Sequence, residues 1–470
     1  MEYEKHRNII TGLVPGNILS DEHCSVKYQE LPVILEELDA FFYNNGGEKI
    51  TCVAISIQNS VLLAVVILYL LSENKNFFLL PANSASSDKA PFFCDRILTG
   101  ASNGNDRSTL LSLLVLTKNE GFVKKKHQPD PLSGYIFLAS SGTSGPSKYI
   151  CYNAGNLIEN AKKCVTRFTI VNSTKVLITV PVSHMYGLGV GLLPSLVAGA
   201  GFRLIERNNI IKLFTNVTEF KPGITLITPA LARMVLLSNK KIPHCRTYIS
   251  AGEKMDPRTH KEFELNNGLL VNLYGCTELG AIATSTTDAE SRFMGTVRPL
   301  ENVNVMISNE EPGEILVQHD AGFTGYLDDE GIIRPPAMTV PTYYRTKDAG
   351  TSAGNGDFIV SGRIDNCVNR SGFLISLDEI ESTLKSLFSS FRQVVVFESD
   401  VANTILPRLI AVCEIDETND HDDSRVKIKC KESMSRYSIP DEFIFLLDIP
   451  KLNNGKADRL YLKRSYGSLK

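Results

Sequence analysis

Short apolar runs alternate with helical stretches through most of the chain. Thr51-Cys52-Val53-Ala54-Ile55-Ser56-Ile57 has strand character. Val61 to Leu71 is then apolar at every position, and Phe77-Phe78-Leu79-Leu80 reads as the next strand. Unbroken apolar strands around an apolar helix predict a βαβ unit whose sheet is covered on both faces. The helix is too short to span a bilayer, which needs roughly 20 residues, so it predicts a buried core helix.

Residues 1 to about 48 give no clear pattern, and residues 82–132 are polar apart from a helical patch near Leu110-Leu111-Ser112-Leu113-Leu114. Tyr135-Ile136-Phe137-Leu138 predicts a strand. Alternation resumes with a strand at Val176–Val180, a Gly-rich helix from Leu188 to Val197 and a strand at Phe202–Ile205. Thr225–Thr228 follows as a strand, with Pro229 placed to open a helix. Thr247–Ser250 and Leu270–Tyr274 complete the series, and each strand ends in a candidate functional residue, as where ligands lie at the carboxyl ends of strands. From Gly295 the runs shorten: Val303, Val305 and Ile307 alternate, then come Gly313–Val317 and Phe358–Val360, predicting an antiparallel or barrel-like region. Past Asp365 a compact α+β tail is expected. There Ser376-Leu377-Asp378-Glu379 forms a capping box before Ile380, Leu384, Leu387 and Phe388 on one helix face. The Asp-rich stretch 416–424 reads as a solvated loop.

Composition narrows the class. A chain of 470 residues is too long for one core, so two or more domains are expected. A net charge of −3 offers no basic surface for nucleic acid. The ten cysteines include no Cys-x-x-Cys pair, which argues against a zinc site or a disulfide framework and suits a reducing cytoplasm. The charged opening Met1-Glu2-Tyr3-Glu4-Lys5 is not a signal peptide.

Four stretches carry candidate chemistry. Ala139-Ser140-Ser141-Gly142-Thr143-Ser144-Gly145-Pro146-Ser147-Lys148 follows a strand. Exposed amides, hydroxyls and a mobile lysine suit an anion such as phosphate, although the spacing is not that of the common nucleotide loop. The plain alternative is a Ser/Gly-rich surface turn. Tyr274-Gly275-Cys276-Thr277-Glu278 also follows a strand. Its Glu could serve magnesium, which takes one or two carboxylates plus phosphate oxygens, or the stretch could simply start a helix. Tyr343-Tyr344-Arg345-Thr346-Lys347-Asp348 and Gly362-Arg363-Ile364-Asp365 pair an Asp suited to ribose hydroxyls with a nearby Arg, or are salt-bridged surface turns. In Ile449–Arg459 the turn-forming Asn453-Asn454-Gly455 would present Lys456, although most lone lysines are only solvated charges.

In this order the four resemble the adenylate-forming superfamily of acyl- and aryl-CoA synthetases, peptide-synthetase adenylation domains and luciferases, over about residues 50–460. Ser141-Gly142-Thr143-Ser144-Gly145 with Lys148 resembles its phosphate loop, and Tyr274–Glu278 its Tyr-Gly-x-Thr-Glu. Gly362-Arg363-x-Asp365 resembles its hinge motif, and Lys456 its closing lysine. The resemblance implies an α/β fold: a large N-terminal domain, 1–364, of parallel α/β sheets with a β-barrel-like subdomain, and a small mobile α+β domain, 365–470.

It also implies that a carboxylate attacks the α-phosphate of ATP, releasing pyrophosphate, and that a pantetheine thiol of CoA or a carrier protein then displaces AMP. On that basis Glu278 binds Mg2+, Thr277 holds the α-phosphate and Lys456 bridges carboxylate and nucleotide. Asp348 binds ribose with Arg363 beside it, Ala251-Gly252-Glu253 lines adenine, Asp365 is the hinge, and Ser371-Gly372 borders the thiol channel. His184 gates an acyl pocket lined by Tyr186, Ser250, Gly275 and Ala281.

Three positions depart from the pattern: Tyr149 and Lys347 stand where the family has glycine, and Asn369 where it has lysine. No Asp near Pro181–Gly189 is placed to hold an ammonium, and Met185 rather than Asn follows His184, so α-amino acids and salicylate-like acids are disfavoured. An uncharged aryl or medium acyl acid remains. Alternatives are an enzyme that loads a carrier protein, with none expected on this chain after Lys456, a non-catalytic nucleotide-binding relative, and a phosphotransferase releasing ADP. Retention of Glu278 and Lys456 speaks against the non-catalytic relative.

Overall fold

The structure is a computed structural model. It describes residues 14–46, 50–80, 90–101, 109–124, 130, 133–139, 148–206, 209–238, 240–242, 245–253, 255–309, 313–336, 338–339, 342–370, 373–399, 408–416, 423–452 and 456–467. Most of the Asp-rich stretch 416–424 lies outside these residues.

The helix Val61–Ser72 is the centre of the molecule. Ser60 caps it by accepting from the Leu63 amide, and every residue from Val61 to Leu71 is buried. Its all-round apolarity is explained by one core cluster, which joins it to Val53 and Ile55 of one sheet and to Phe202 and Leu204 of another. In the first sheet Val53–Ile57 pairs in parallel with Phe77–Leu79 and Arg96–Gly100. Phe77–Leu79 pairs with Tyr135–Ala139, which turns back antiparallel into Tyr149–Asn153, and Gly325–Leu327 closes on that strand from far along the chain.

The second sheet begins with parallel strands at Ile18–Ser20, Gly201–Leu204, Lys175–Ile178, Ile224–Ile227, Thr247–Ser250 and Leu269–Cys276. It continues antiparallel through Gly280–Ser285, Thr296–Pro299, Asp357–Arg363, Tyr343–Gly354, Glu314–His319 and Val303–Ile307. The change from parallel to antiparallel falls at Tyr274-Gly275, where the register shifts. Beyond it a third sheet, Phe391–Glu398, Leu409–Ile415 and Glu442–Leu446, packs with the helix Leu377–Leu387 around its own core of Ile380, Leu384, Val394 and Phe443. Ser376 caps that helix as its sequence predicts, while Phe388 falls just past its end and is still buried.

Two readings of the sequence are corrected. The stretch 82–132 contains strands at Arg96–Gly100 and Val115–Lys118, and Leu110–Leu114 is a series of turns rather than a helix. Arg96–Gly100 places only Ile97 and Leu98 in the core, and Val115–Lys118 is a mostly exposed edge, so neither shows an apolar run. The lead-in contains the helix Leu31–Asn44 and the strands Ile18–Ser20 and Ser25–Lys27. The Gly-rich segment is helical but starts as a π-helix, Tyr186–Leu192, before Leu193–Val197. Such helices often mark functional sites.

Both described departures from glycine are accommodated. Tyr149 inserts its ring edge-on among Phe78, Phe92 and Phe93, at centroid distances of 5.8, 6.4 and 5.0 Å. Lys347 adopts φ +61°, and its amide donates to Glu314 Oε1 at 2.9 Å. A left-handed non-glycine residue costs roughly 1–2 kcal/mol, more for a β-branched one. Lys347→Gly is therefore expected to stabilise by no more than about 1 kcal/mol, because glycine's unfolded-state entropy offsets part of the gain. Lys347→Val should destabilise by at least about 1 kcal/mol. Urea unfolding measures both; a valine variant as stable as wild type would show that the backbone here does not hold that conformation.

Candidate active site

The residues expected on the nucleotide side meet where the sheet changes direction. Asp348 and Arg363 face each other across two antiparallel strands. Tyr274 donates to Asp348 Oδ2 at 2.6 Å, while Arg363 Nη1 lies 3.4 Å from Oδ1 and donates to the Thr346 carbonyl at 3.2 Å. Burial, then the Asp348 charge, pushes the Tyr274 hydroxyl well above its ordinary value, so it remains a donor. Asp348 is thus a carboxylate gripped from two sides.

Thr277 and Glu278 sit in the tight turn between Leu269–Cys276 and Gly280–Ser285, not at a helix start. A side-chain carbon at Gly275 would strike the Gly280 carbonyl, so the turn needs glycine there. Tyr152 donates to the Thr277 carbonyl at 3.0 Å. The Glu278 carboxylate accepts from the Tyr326 hydroxyl at 3.0 Å, and Tyr326 meets the Tyr344 hydroxyl at 2.9 Å. Lys148 Nζ stands 5.1 Å from the centroid of the Tyr326 ring. Among the described residues no group of three His, Cys, Asp or Glu side chains could hold a metal. A lone, half-buried carboxylate beside a lysine fits the mode in which Mg2+ takes one carboxylate and completes its shell with phosphate oxygens.

The candidate acid pocket gathers around the π-helix. Tyr186 donates to the Ile249 carbonyl at 2.6 Å and its oxygen accepts from the Ile227 amide at 3.1 Å, which fixes its ring beside Ser250. Ser183 and Ser250 are buried, and neither hydroxyl has a hydrogen-bond partner. Ala281 is buried in its strand, its carbonyl engaged by His319 Nε2 at 3.0 Å, while Gly275 is exposed. Burial lowers the His184 pKa, and the charge of Lys456 lowers it further. Backbone bonds run from Leu452 N to Lys456 O at 2.7 Å and from Asp458 N to Pro450 O at 2.7 Å, and the expected turn Asn453-Asn454-Gly455 lies outside the described residues.

Ala251-Gly252-Glu253 follows the strand Thr247–Ser250; Gly252 has φ +96° with open space on its side-chain side, and Glu253 lies 3.8 Å from Arg233. Ser141, Gly142, Thr143, Ser144 and Gly145, with Ser371 and Gly372, lie outside the described residues, as do the side chains of Asp365 and Asn369. The structure therefore brings together Tyr274, Asp348 and Arg363 and, through Tyr326, Glu278 and Lys148, while the charge of Lys456 acts on His184. Sequence reasoning missed Tyr152, Tyr326 and Tyr344 as site residues. The signal for Tyr326 was slight: Gly325–Leu327 is a three-residue strand without alternation.

The family model for AMP-binding enzyme matches residues 81–327, more than half of the chain. The chain belongs to this AMP-binding enzyme family. This places it in the adenylate-forming superfamily. Relatives of this AMP-binding chain include a sulfoacetate–CoA ligase of Cupriavidus necator, 27% identical over 71% of this chain and 67% of that protein. A D-alanine–D-alanyl carrier protein ligase of Listeria innocua is 24% identical over 80% of this chain and 79% of its own length. The fold matches ATP-bound MatB from Rhodopseudomonas palustris at TM-score 0.82, with 18% identity and 98% of each chain covered. It matches o-succinylbenzoate CoA synthetase from Bacillus subtilis with its acyl-adenylate at TM-score 0.81, 19% identity, over 98% and 97% of the chains. Among the described residues no helix is long and apolar enough to cross a membrane.

Burial also lowers the pKa values of His260 and His319. With folded values below the ordinary value of about 6.5, the unfolded chain binds more protons as pH drops through that value. Stability should therefore fall on acidification from pH about 7 toward the depressed folded values, where the loss levels off. Thermal unfolding against pH checks the sign. His184→Asn, which has no proton to gain at this position, should show a shallower fall; identical slopes would mean that His184 is not held neutral.

Proposed function

We propose that this enzyme activates a carboxylic acid on ATP and passes the acyl group to a pantetheine thiol. The supporting observation is a pair of carboxylates each held by a tyrosine hydroxyl, Asp348 by Tyr274 at 2.6 Å and Glu278 by Tyr326 at 3.0 Å, with Arg363 beside the first and Lys148 over the Tyr326 ring.

In this reading two anions must meet. A carboxylate oxygen of the acid attacks the α-phosphorus of ATP, the bond to the β-phosphate oxygen breaks, and pyrophosphate leaves. Lys148, Lys456 and the phosphate-loop amides of Ser141–Gly145 neutralise the approach, and Thr277 donates to the α-phosphate. Glu278 would hold Mg2+, which when bound supplies charge neutralisation on the phosphates. Asp348 binds the ribose hydroxyls, and Ala251–Glu253 lines the adenine. His184, kept neutral by burial, gates the acyl pocket without adding a charge.

The chain divides at Asp365 into a large domain, 1–364, and a small one, 365–470. Support for this division comes from the separate core around Leu384 and Val394. At the junction Asp378 accepts from the Arg363 amide at 2.9 Å and from Asn366 Nδ2 at 2.9 Å. Rotation about Asp365 would present Ser371 and Gly372 to the thiol, which attacks the acyl carbon as AMP leaves.

The substrate favoured is an aryl or medium acyl acid, not an α-amino acid. The partnerless hydroxyls of Ser183 and Ser250 suit an acid that carries a hydrogen-bonding group. CoA is the acceptor favoured by the sulfoacetate–CoA ligase relative. Loading of an acyl carrier protein is the second reading, favoured by the D-alanyl carrier protein ligase relatives. The nine described free thiols suit a reducing cytoplasm.

Carboxylate-dependent ATP–pyrophosphate exchange over a panel of aryl and fatty acids tests the first half-reaction. Exchange with one class is expected; none with any acid, in folded protein that binds ATP, would move the reading to a non-catalytic relative. Lys456→Ala is expected to cut exchange roughly a hundredfold or more, while thioester formation from supplied acyl-AMP stays largely intact. Equal losses in both steps would refute that division of labour.

A further inference from the structure

Residues 322–327 contribute nothing to the motifs, yet they run through the candidate site. The Phe323 amide donates to the Glu278 carbonyl at 2.8 Å, and the Thr324 amide to the Cys151 carbonyl at 2.7 Å. Gly325, Tyr326 and Leu327 then pair with Cys151, Ile150 and Tyr149. This short segment is tied by its backbone to the Thr277-Glu278 turn at one end and to the strand after Lys148 at the other. Tyr326 lies between the two. Phe323 sets its ring edge-on against Tyr326 at 5.0 Å and Tyr344 at 5.4 Å, which fixes both orientations.

The hydrogen-bond polarity follows from the atoms. A phenol has one proton to donate. Tyr326 gives it to the Glu278 carboxylate at 3.0 Å, so the 2.9 Å contact with Tyr344 requires Tyr344 to donate to Tyr326. The chain runs in one direction, Tyr344 to Tyr326 to Glu278. The Tyr326 ring also accepts Lys148, whose Nζ is 5.1 Å from its centroid, within cation–π range.

We propose that Tyr326 is the positioning residue of the metal–phosphate site, orienting the Glu278 carboxylate through its hydroxyl and Lys148 through its ring, with Tyr344 acting only through Tyr326. This rests on the reading of Glu278 as the magnesium carboxylate. A carboxylate free to rotate would sample many orientations, and one fixed by a charge-assisted hydrogen bond presents its remaining lone pairs in a single direction.

Mn2+ binding to folded protein in the presence of ATP, read by electron paramagnetic resonance without any acid, tests the proposal directly. Tyr326→Phe keeps the ring beneath Lys148, so it reports the hydroxyl alone. It should weaken Mn2+ about tenfold. Tyr344→Phe should weaken it about threefold, as loss of a neutral hydrogen bond acting at one remove. The double variant should bind no worse than Tyr326→Phe alone, because among the described residues the Tyr344 hydroxyl is hydrogen-bonded to the carboxylate only through Tyr326. In exchange assays the loss should appear in metal half-saturation rather than in kcat. Unchanged Mn2+ affinity in Tyr326→Phe, or additive losses in the double variant, would overturn the proposal. If Tyr326→Phe does not fold, Tyr344→Phe alone decides, and an affinity equal to wild type overturns it. Wild-type protein that binds Mn2+ with ATP but exchanges with no acid would defeat the ligase reading while leaving this one standing.

Discussion

The strand Tyr149–Asn153 joins parts of the molecule that the chain keeps far apart. Ile150, Cys151 and Tyr152 are fully buried, so their amides and carbonyls need partners within the protein. One edge is taken by Tyr135–Ala139 and the other by Gly325–Leu327. That second pairing brings a segment from the antiparallel half of the chain against the strand that follows Lys148. Tyr152 then reaches the Thr277 carbonyl, and Phe323 the Glu278 carbonyl. The demand that one buried strand be hydrogen-bonded on both edges thus sets the spacing of Lys148, Glu278 and Tyr326.

Around this frame charged side chains from distant stretches are held in place. Lys148 lies over the Tyr326 ring and Arg363 faces Asp348, while the charge of Lys456 acts on His184. The two carboxylates among them, Asp348 and Glu278, each accept from a tyrosine hydroxyl, and Asp348 also faces Arg363. Burial pushes the Tyr274, Tyr326 and Tyr344 hydroxyls upward, so they act as fixed donors. A neutral donor orients a carboxylate and leaves its charge available to a metal or a ribose. At His184, burial and then the charge of Lys456 disfavour the charged form.

The two described departures from the family pattern, Tyr149 and Lys347, are local. Tyr149 replaces a glycine but gains a nest of three phenylalanines, which couples the end of the loop to the first sheet's core. Lys347 keeps a glycine-like backbone angle and is pinned by Glu314, a buried carboxylate that also accepts from Arg345 Nε at 2.5 Å. Asp348 therefore emerges from the strand opposite Arg363 despite the substitution.

The sequence by itself determined the buried helix Val61–Ser72, the parallel strands and the capped helix at Ser376, because an apolar run or a capping pattern is a local signal that tertiary structure has only to accept. It also marked Tyr274, Glu278, Asp348 and Lys456, whose chemistry stands out against polar turns. It did not reveal Arg96–Gly100 or Val115–Lys118, since a short strand with two core residues and an exposed edge strand carry little periodicity; partners distant in sequence make them strands. It gave no reason to single out Tyr326. A tyrosine in a three-residue strand is unremarkable until pairing with Tyr149–Cys151 sets its ring beneath Lys148 and its hydroxyl on Glu278. Only the tertiary structure decided that contact, because its partners come from three stretches that meet in space and not along the chain.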